Sequence, residues 1–225
     1  MRYNEIKLKG VCRIFDFTMV ITWYGEGCFK TQEGDTTILT DPFEAGLGLT
    51  PPRLKARIVL KTLTAFPLKK PENEGEYLIS GPGEYNIKGI DIAGFLLAKE
   101  STDKFLKTIY LVKTEGVNLC FLGHLSDAPE PNILERLEEI DILFIPAGGS
   151  PYLDPKAAVK IIKHLEPKIV VPGFFKIPGL KRQAADIKLF LREFNHEKVE
   201  AEDKLSIRKK DLALIKGTRV ILLKI

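Results

Sequence analysis

The sequence predicts a mixed α/β fold in which β-hairpins come first and strand–helix units follow. Two observations support this prediction. Short β-prone runs flank glycine-containing turns at residues 34–35 and 114–116, which is the pattern of a β-hairpin. From residue 131 onward, apolar residues recur at helical spacing between short apolar runs that have the composition of buried strands. This periodicity indicates the class of fold but not the stacking of its layers.

Length and composition are those of an ordinary globular protein. The chain has 225 residues, enough to bury a substantial core in one domain or two. A net charge of +4 is too small to argue for nucleic acid as a partner. No apolar run is long enough to cross a membrane, and the N-terminus lacks the apolar region of a signal peptide. The widely spaced Cys12, Cys28 and Cys120 fit reduced thiols, so we expect a soluble, cytoplasmic protein.

The first predicted hairpin turns at Gly34-Asp35, between β-prone runs at residues 28–31 and 37–40. It is preceded by Gly25-Glu26-Gly27, whose glycines allow backbone and a carboxylate to approach a ligand. It is followed by Asp41-Pro42-Phe43, where proline ends the strand because it cannot donate a hydrogen bond to a neighbour. Both ends of the hairpin should therefore point the same way.

The middle of the chain is predicted to form strands at residues 57–61, 76–79 and 87–92, with a tight turn at residues 81–85. A second hairpin follows and ends at the loop that carries His124 and Asp127. A histidine and an aspartate three residues apart after a buried strand are typical of metal ligands or of an acid/base pair.

The second half of the chain is predicted to alternate strands and amphipathic helices. Asp154 should cap one of these helices, with Pro155 in its first turn. The predicted helices and strands span residues 131–140 (helix), 141–146 (strand), 154–165 (helix), 168–172 (strand), 185–194 (helix), 205–207 (strand) and 220–223 (strand).

The stretch Val20–Phe43, VITWYGEGCFKTQEGDTTILTDPF, resembles the opening of the metallo-β-lactamase fold. It is most similar to the small Zn-dependent hydrolase-like branch, whose members begin I-T-W-x-G-H-x-C-F and continue I-x-T-D-P-F. Similar motifs extend from Val20 to the C-terminus. The resemblance implies a four-layer αββα sandwich, with two sheets facing each other and helices outside. We therefore predict a single domain at residues 19–225 after an N-terminal extension at residues 1–18.

The same resemblance implies a zinc site, but this chain departs from the family at its ligands. Glu26 stands where the branch has histidine, His124 matches a bridging aspartate, and Asp127 matches a second histidine. The other matched positions hold side chains that cannot ligate zinc. They are Leu63, Ala65, Pro67, Leu68, Phe121 and Phe174. We therefore predict no metal, no cofactor and no catalytic residue at the family's site.

Our first hypothesis is a pseudoenzyme, a non-catalytic binding or scaffold domain with a residual pocket formed by Glu26, His124, Asp127 and Phe174. Its partner would be an unidentified protein or small ligand, with no membrane association, and a homo-oligomer is left open. The alternative is a hydrolase-like enzyme whose site has moved to Glu26, His124 and Asp127.

A third alternative is a weak nucleic-acid binder that uses the basic C-terminal region. This hypothesis is not favoured, because no aromatic residues alternate with the basic ones. The basic residues of this region are Arg208, Lys209, Lys210, Lys216, Arg219 and Lys224.

Overall fold

A computed structural model describes residues 18–68, 75–196 and 198–225. Apart from Thr18, the predicted extension at residues 1–18 lies outside the described residues. The strands are β1 (Thr18–Trp23), β2 (Phe29–Glu33), β3 (Thr36–Thr40), β4 (Ile58–Leu60), β5 (Leu63–Ala65), β6 (Tyr77–Ile79), β7 (Gly83–Ile87), β8 (Ile90–Leu96), β9 (Phe105–Thr114), β10 (Val117–Phe121), β11 (Ile142–Pro146), β12 (Ile169–Gly173), β13 (Ala201–Glu202), β14 (Leu205–Arg208), β15 (Arg219–Val220) and β16 (Leu222–Leu223). The helices are α1 (Pro131–Leu134), α2 (Pro155–Leu165), α3 (Ile187–Glu193) and α4 (Lys209–Leu212).

Two large sheets make up the fold. The first has six strands in the order β14-β1-β2-β3-β4-β6. The second has eight strands, in the order β15-β12-β11-β10-β9-β8-β7 with β5 paired to β9. Strands β3 and β4 run parallel in the first sheet, and β10, β11 and β12 run parallel in the second. The carboxyl ends of these parallel strands carry the side chains of the candidate site.

The inner faces of the two sheets form one apolar core. Trp23 and Phe29 of the first sheet pack with Phe144 and Val171 of the second. Alternate residues of the second sheet, such as Leu143, point outward and are covered by the apolar faces of α2 and α3. This arrangement confirms the predicted α/β sandwich. No helix among the described residues is long and apolar enough to cross a membrane.

The outer face of the first sheet is covered differently. Cys28, Leu39 and Val59 form a small apolar cluster there, against which Phe43 and Leu54 of the β3–β4 connection are packed. In the part of the chain that the structure describes, this face is therefore covered by an extended loop, whereas helices cover the outer face of the second sheet.

Both predicted hairpins are present, and Asp154 caps α2 by accepting a hydrogen bond from the Lys156 amide at 2.9 Å. The turn predicted at residues 81–85 is wrong. Residues 83–87 form β7, and the chain reverses at Lys88-Gly89, where φ is +53° and +83°. A two-residue turn between paired strands needs positive φ at both positions, which glycine at the second one favours.

The helix predicted at residues 131–140 is shorter than expected, because α1 ends at Leu134. Leu137 and Ile140 are buried all the same, at 2% and 4% exposure. Glu139 has a φ of +54°, a left-handed conformation that an α-helix through residue 140 could not contain. The apolar spacing therefore indicated correctly which side chains enter the core but overestimated the length of the helix.

Tyr110 connects this core to the site edge. Its side chain is fully buried on β9, and its hydroxyl accepts a hydrogen bond from the Gly81 amide at 2.8 Å. The same hydroxyl lies 3.3 Å from the carbonyl oxygen of Lys61, the residue that follows β4. The Gly81 carbonyl, at 3.0 Å, is a closer acceptor for this hydroxyl, so Tyr110 fixes the connection at Gly81 that follows β6.

We expect Tyr110→Phe to lower the free energy of unfolding by about 1–2 kcal/mol, because the buried Gly81 amide loses its partner. Chemical denaturation at neutral pH measures this loss. Tyr77→Phe is the matched control, since Tyr77 is 44% exposed on the edge strand β6. Equal losses in the two variants would contradict the role assigned to the Tyr110 hydroxyl.

Candidate functional site

The candidate site lies where strands of both sheets end. Glu26 is in the β1–β2 connection, and Asp41 and Thr62 follow β3 and β4 of the first sheet. His124 follows β10 and Phe174 follows β12 of the second sheet. The face-to-face packing of the sheets brings these five side chains, distant in sequence, to one edge of the molecule.

Thr62 is the centre of a short hydrogen-bonded chain. Its amide donates to Asp41 Oδ1 at 2.7 Å, and its hydroxyl donates to Asp41 Oδ2 at 2.5 Å. The hydroxyl oxygen also lies 2.8 Å from His124 Nδ1. Because the hydroxyl hydrogen is used on Asp41, Nδ1 must carry the proton and donate to Thr62. The imidazole is thereby held in one tautomer, with Nε2 as its acceptor.

Burial lowers the pKa of His124 from its usual value, because the charged imidazolium loses hydration. The nearby carboxylates of Asp41 and Glu26 act in the opposite direction, while Lys107 and Lys61 lower the pKa further. The net direction is downward, so His124 is a neutral imidazole at neutral pH.

Glu26 forms a two-pronged ion pair with Arg182. The Arg182 Nε donates to Oε2 at 3.0 Å and Nη2 donates to Oε1 at 2.9 Å. Only 10% of the Glu26 side chain and 18% of the Arg182 side chain are exposed. The Glu26 backbone is left-handed, with φ of +52°, and its carbonyl oxygen accepts a hydrogen bond from the Trp23 indole at 2.9 Å. Both the carboxylate and its backbone are therefore fixed.

Phe174 fills the space between these polar groups. Its ring centroid lies 5.0 Å from that of His124 and 4.6 Å from that of Tyr152, and the Arg182 guanidinium carbon lies 4.9 Å from the centre of the Tyr152 ring. A Cβ atom at Gly27 would come within 2.5 Å of the Phe174 ring, so only glycine fits there. The cavity that remains beside Phe174 measures about 10 Å³, the size of a single water molecule.

The structure brings three of the four predicted pocket residues together: Glu26, His124 and Phe174. Asp127 lies elsewhere. Its side chain is exposed, and its amide donates to Glu100 Oε1 at 3.0 Å.

The matching of the segment after β4 to the family pattern also needs correction. The side chain from this segment that reaches the pocket is Thr62, whereas the neighbouring Leu63 lies on β5, which pairs with β9. Ala65, Pro67 and Leu68, which the family pattern placed at ligand positions, are exposed. Phe121 is in the core, stacked on Phe144 with ring centroids 4.3 Å apart.

Sequence reasoning missed four side chains of the site. Asp41 and Thr62 had a usable signal, since each directly follows a predicted strand. Tyr152 and Arg182 come from connections with no local motif, and their positions depend on the tertiary fold alone.

The donor atoms at this edge do not fit a zinc ion. Zinc needs about three or four nitrogen, sulfur or oxygen ligands with free lone pairs directed at one point. Here both Glu26 oxygens bind Arg182, both Asp41 oxygens accept from Thr62, and a phenylalanine ring stands among them. Within the described ranges, no three His, Cys, Asp or Glu side chains are grouped as a metal site requires.

Comparison with known proteins gives a consistent family assignment. A family model described as a beta-lactamase superfamily domain matches residues 20–173. A protein of Listeria monocytogenes serotype 4b, named UPF0173 metal-dependent hydrolase, is 22% identical over 193 residues, with 68% of this chain and 84% of that protein covered.

Two solved structures share the fold. A crystal structure assigned to the Zn-dependent hydrolases of the metallo-β-lactamase superfamily, from Thermotoga maritima, is 27% identical, with a TM-score of 0.73 over 91% of this chain and 98% of that one. A metallo-hydrolase from Ignicoccus hospitalis is 18% identical, with a TM-score of 0.61 over 85% of this chain and 98% of that one, which shows the fold alone.

The neutral, buried His124 gives the protein a pH dependence. The folded state holds its pKa below the value of about 6.5 found in unfolded chains, so the unfolded state binds more protons in mild acid. Stability should therefore fall as pH drops through about 6.5.

We expect His124→Asn to flatten the dependence of unfolding free energy on pH between about 7.5 and 5.5. His164→Gln, at an exposed position of α2, should keep the wild-type slope. Identical slopes in all three proteins would contradict this account.

Proposed function

Because the chain belongs to the β-lactamase superfamily, we propose that it is a non-catalytic member, a binding or scaffold domain that keeps the sandwich without the metal chemistry. One observation carries the proposal. The two carboxylates at the edge where the strands end are bonded to Thr62 and Arg182, and of the described residues only Nε2 of His124 remains there as a nitrogen that could ligate an ion.

The names of the relatives describe a metal-dependent hydrolase, and the groups at the edge of this chain differ from what that chemistry needs. A metal-dependent hydrolase uses its ion to ionise a bound water near neutral pH, and the ion needs unshared lone pairs from several side chains. In this chain, Phe174 occupies the centre of the corresponding edge and the nearest carboxylates already have protein partners. The metal-dependent step that these names imply therefore lacks, among the residues that the structure describes, a set of ligands that could hold the ion.

The size of the cavity limits what such a domain could bind there. About 10 Å³ beside Phe174 admits a water molecule but not a small organic ligand, for which pockets of about 300–1,000 Å³ are typical. Binding of a protein or small ligand would therefore use the outer surfaces of the sandwich. This favours a scaffold or interaction role over retention of the family's substrate cleft.

An enzyme with a relocated site is the second candidate. The observation that favours it is the Asp41–Thr62–His124 chain, which orients a neutral imidazole as a general base requires. Against it, the Asp127 side chain is exposed and accepts a hydrogen bond from the Ala128 amide at 2.7 Å, and Glu26 is neutralised by Arg182. The imidazole therefore lacks the second acid/base group that this hypothesis assigned to it.

Nucleic-acid binding has weaker support. Within the basic C-terminal region, Arg208 pairs with Asp211 at 2.9 Å and Lys224 with Asp203 at 3.1 Å. These pairs reduce the positive charge available to phosphates.

Metal analysis tests the first proposal directly. Protein purified without chelators should contain zinc, iron and manganese far below one equivalent per chain, because no set of free ligands is available. Plasma mass spectrometry measures the content, with the Listeria relative purified in parallel as the control. A stoichiometric metal in this protein that dialysis does not remove would contradict the proposal.

The relocated-site hypothesis predicts a different result. If His124 were a general base, His124→Ala would reduce hydrolysis by about 10²–10⁴-fold. We expect no hydrolysis of esters, phosphodiesters or lactams above background by either the wild type or this variant. Wild-type turnover that disappears in His124→Ala but persists in His164→Ala would establish the second candidate and refute the first.

A further inference from the structure

A short segment lies against the site edge and contacts it through Arg182. Residues 176–186, here called the strap, connect β12 to α3. The Lys176 amide donates to the Ala185 carbonyl at 2.9 Å, which joins the two ends of the strap. In its middle, the Lys181 amide donates to the Leu47 carbonyl of the β3–β4 connection at 2.9 Å. The strap is therefore attached to both sheets of the sandwich.

Arg182 is the residue through which the strap reaches inward. Besides its two bonds to Glu26, it donates from Nη2 to the Phe174 carbonyl at 2.7 Å and from Nη1 to the Gln183 carbonyl at 2.7 Å. Glu26 belongs to the first sheet's β1–β2 connection, and Phe174 directly follows β12 of the second. One guanidinium thus joins the two sheets and the strap.

The charge at this position needs a cation. Glu26 and Asp41 are carboxylates with only 7% and 8% exposure. Asp41 is compensated by the Thr62 amide and hydroxyl. Glu26 lacks comparable donors apart from Arg182 among the described residues, and a buried carboxylate without a partner is strongly destabilising.

We propose that Arg182 is a built-in cation that locks the strap against the site edge, because its guanidinium binds the Glu26 carboxylate and the Phe174 carbonyl at the same time. The lock goes beyond the proposed function, because it holds whether or not the domain has a catalytic activity. A guanidinium suits the position because its planar fork donates to both carboxylate oxygens and to carbonyls at the same time.

The test compares Arg182→Met with Arg182→Lys. Arg182→Met removes the charge and keeps the length of the side chain, so it should lower the Tm by roughly 10 °C. It should also speed hydrogen exchange of the Lys176, Lys181 and Ala185 amides by roughly tenfold or more, relative to amides of β10 and β11. Arg182→Lys keeps the charge but loses the fork, and it should fall between the wild type and Arg182→Met.

The control is Lys224→Met, which breaks the exposed ion pair with Asp203 and should leave both the Tm and strap exchange unchanged. If Arg182→Met resembles this control, the lock is refuted. If Arg182→Met does not fold, strap exchange in Arg182→Lys decides, and a wild-type rate there refutes the lock.

Measuring the Tm with EDTA and with zinc distinguishes failure of this inference from failure of the proposed function. EDTA should not change the wild-type Tm, and a drop that zinc reverses would overturn the lock, because an external cation would then be bridging the sheets. Hydrolytic activity combined with an EDTA-insensitive Tm and a destabilised Arg182→Met would contradict the proposed function and leave the lock intact.

Discussion

The structure of the site depends on the neutralisation of two buried carboxylates. Glu26 and Asp41 lie where strands of both sheets end, and burying a carboxylate is costly unless donors compensate it. Asp41 is satisfied locally by the backbone and side chain of Thr62, which in turn orients His124. The charge of Glu26 is compensated by Arg182, and this ion pair also fixes the strap to which Arg182 belongs. The position of the His124 imidazole therefore follows from the bonds between Asp41 and Thr62, and the position of the strap follows from the Glu26–Arg182 pair.

Backbone strain is concentrated at the same edge. Glu26, Asp41 and Phe174 all have left-handed φ, at +52°, +40° and +60°, although none is glycine. Each such residue costs of order 1–3 kcal/mol and persists only where the surroundings hold it, as is common at functional sites. The other non-glycine residues with positive φ in the described chain lie in turns or after helices, where this geometry is ordinary; they are Lys88, Glu115, Glu139, Glu166 and Asn195. The edge thus has the strained backbone that is common at functional sites, while the side chains of the same residues fill the space there.

Local sequence signals predicted the parts of the fold that are decided locally. Gly34 and Asp154 marked a hairpin and a helix start. The grouping of Glu26, His124, Asp127 and Phe174 rested on the family resemblance, and the structure brings three of these together but not Asp127. The segment after β4 contributes Thr62 to the site, one residue before the Leu63 to which the family pattern pointed. Arg182 could not have been found this way, since it is 156 positions from Glu26 and the pair exists only after both sheets have assembled.

The charge that closes the site also acts against a metal ion. A cation at this edge would meet the Arg182 guanidinium, which already compensates the charge of Glu26, so it would be attracted less strongly than by two unpaired carboxylates. The ion would in addition have to break the bonds that Asp41 makes with Thr62. Returning a single histidine at Phe174 would remove neither obstacle. The site therefore differs from an open metal centre in two ways: one of its two carboxylates is already paired with a cation, and a phenylalanine ring stands between its polar groups.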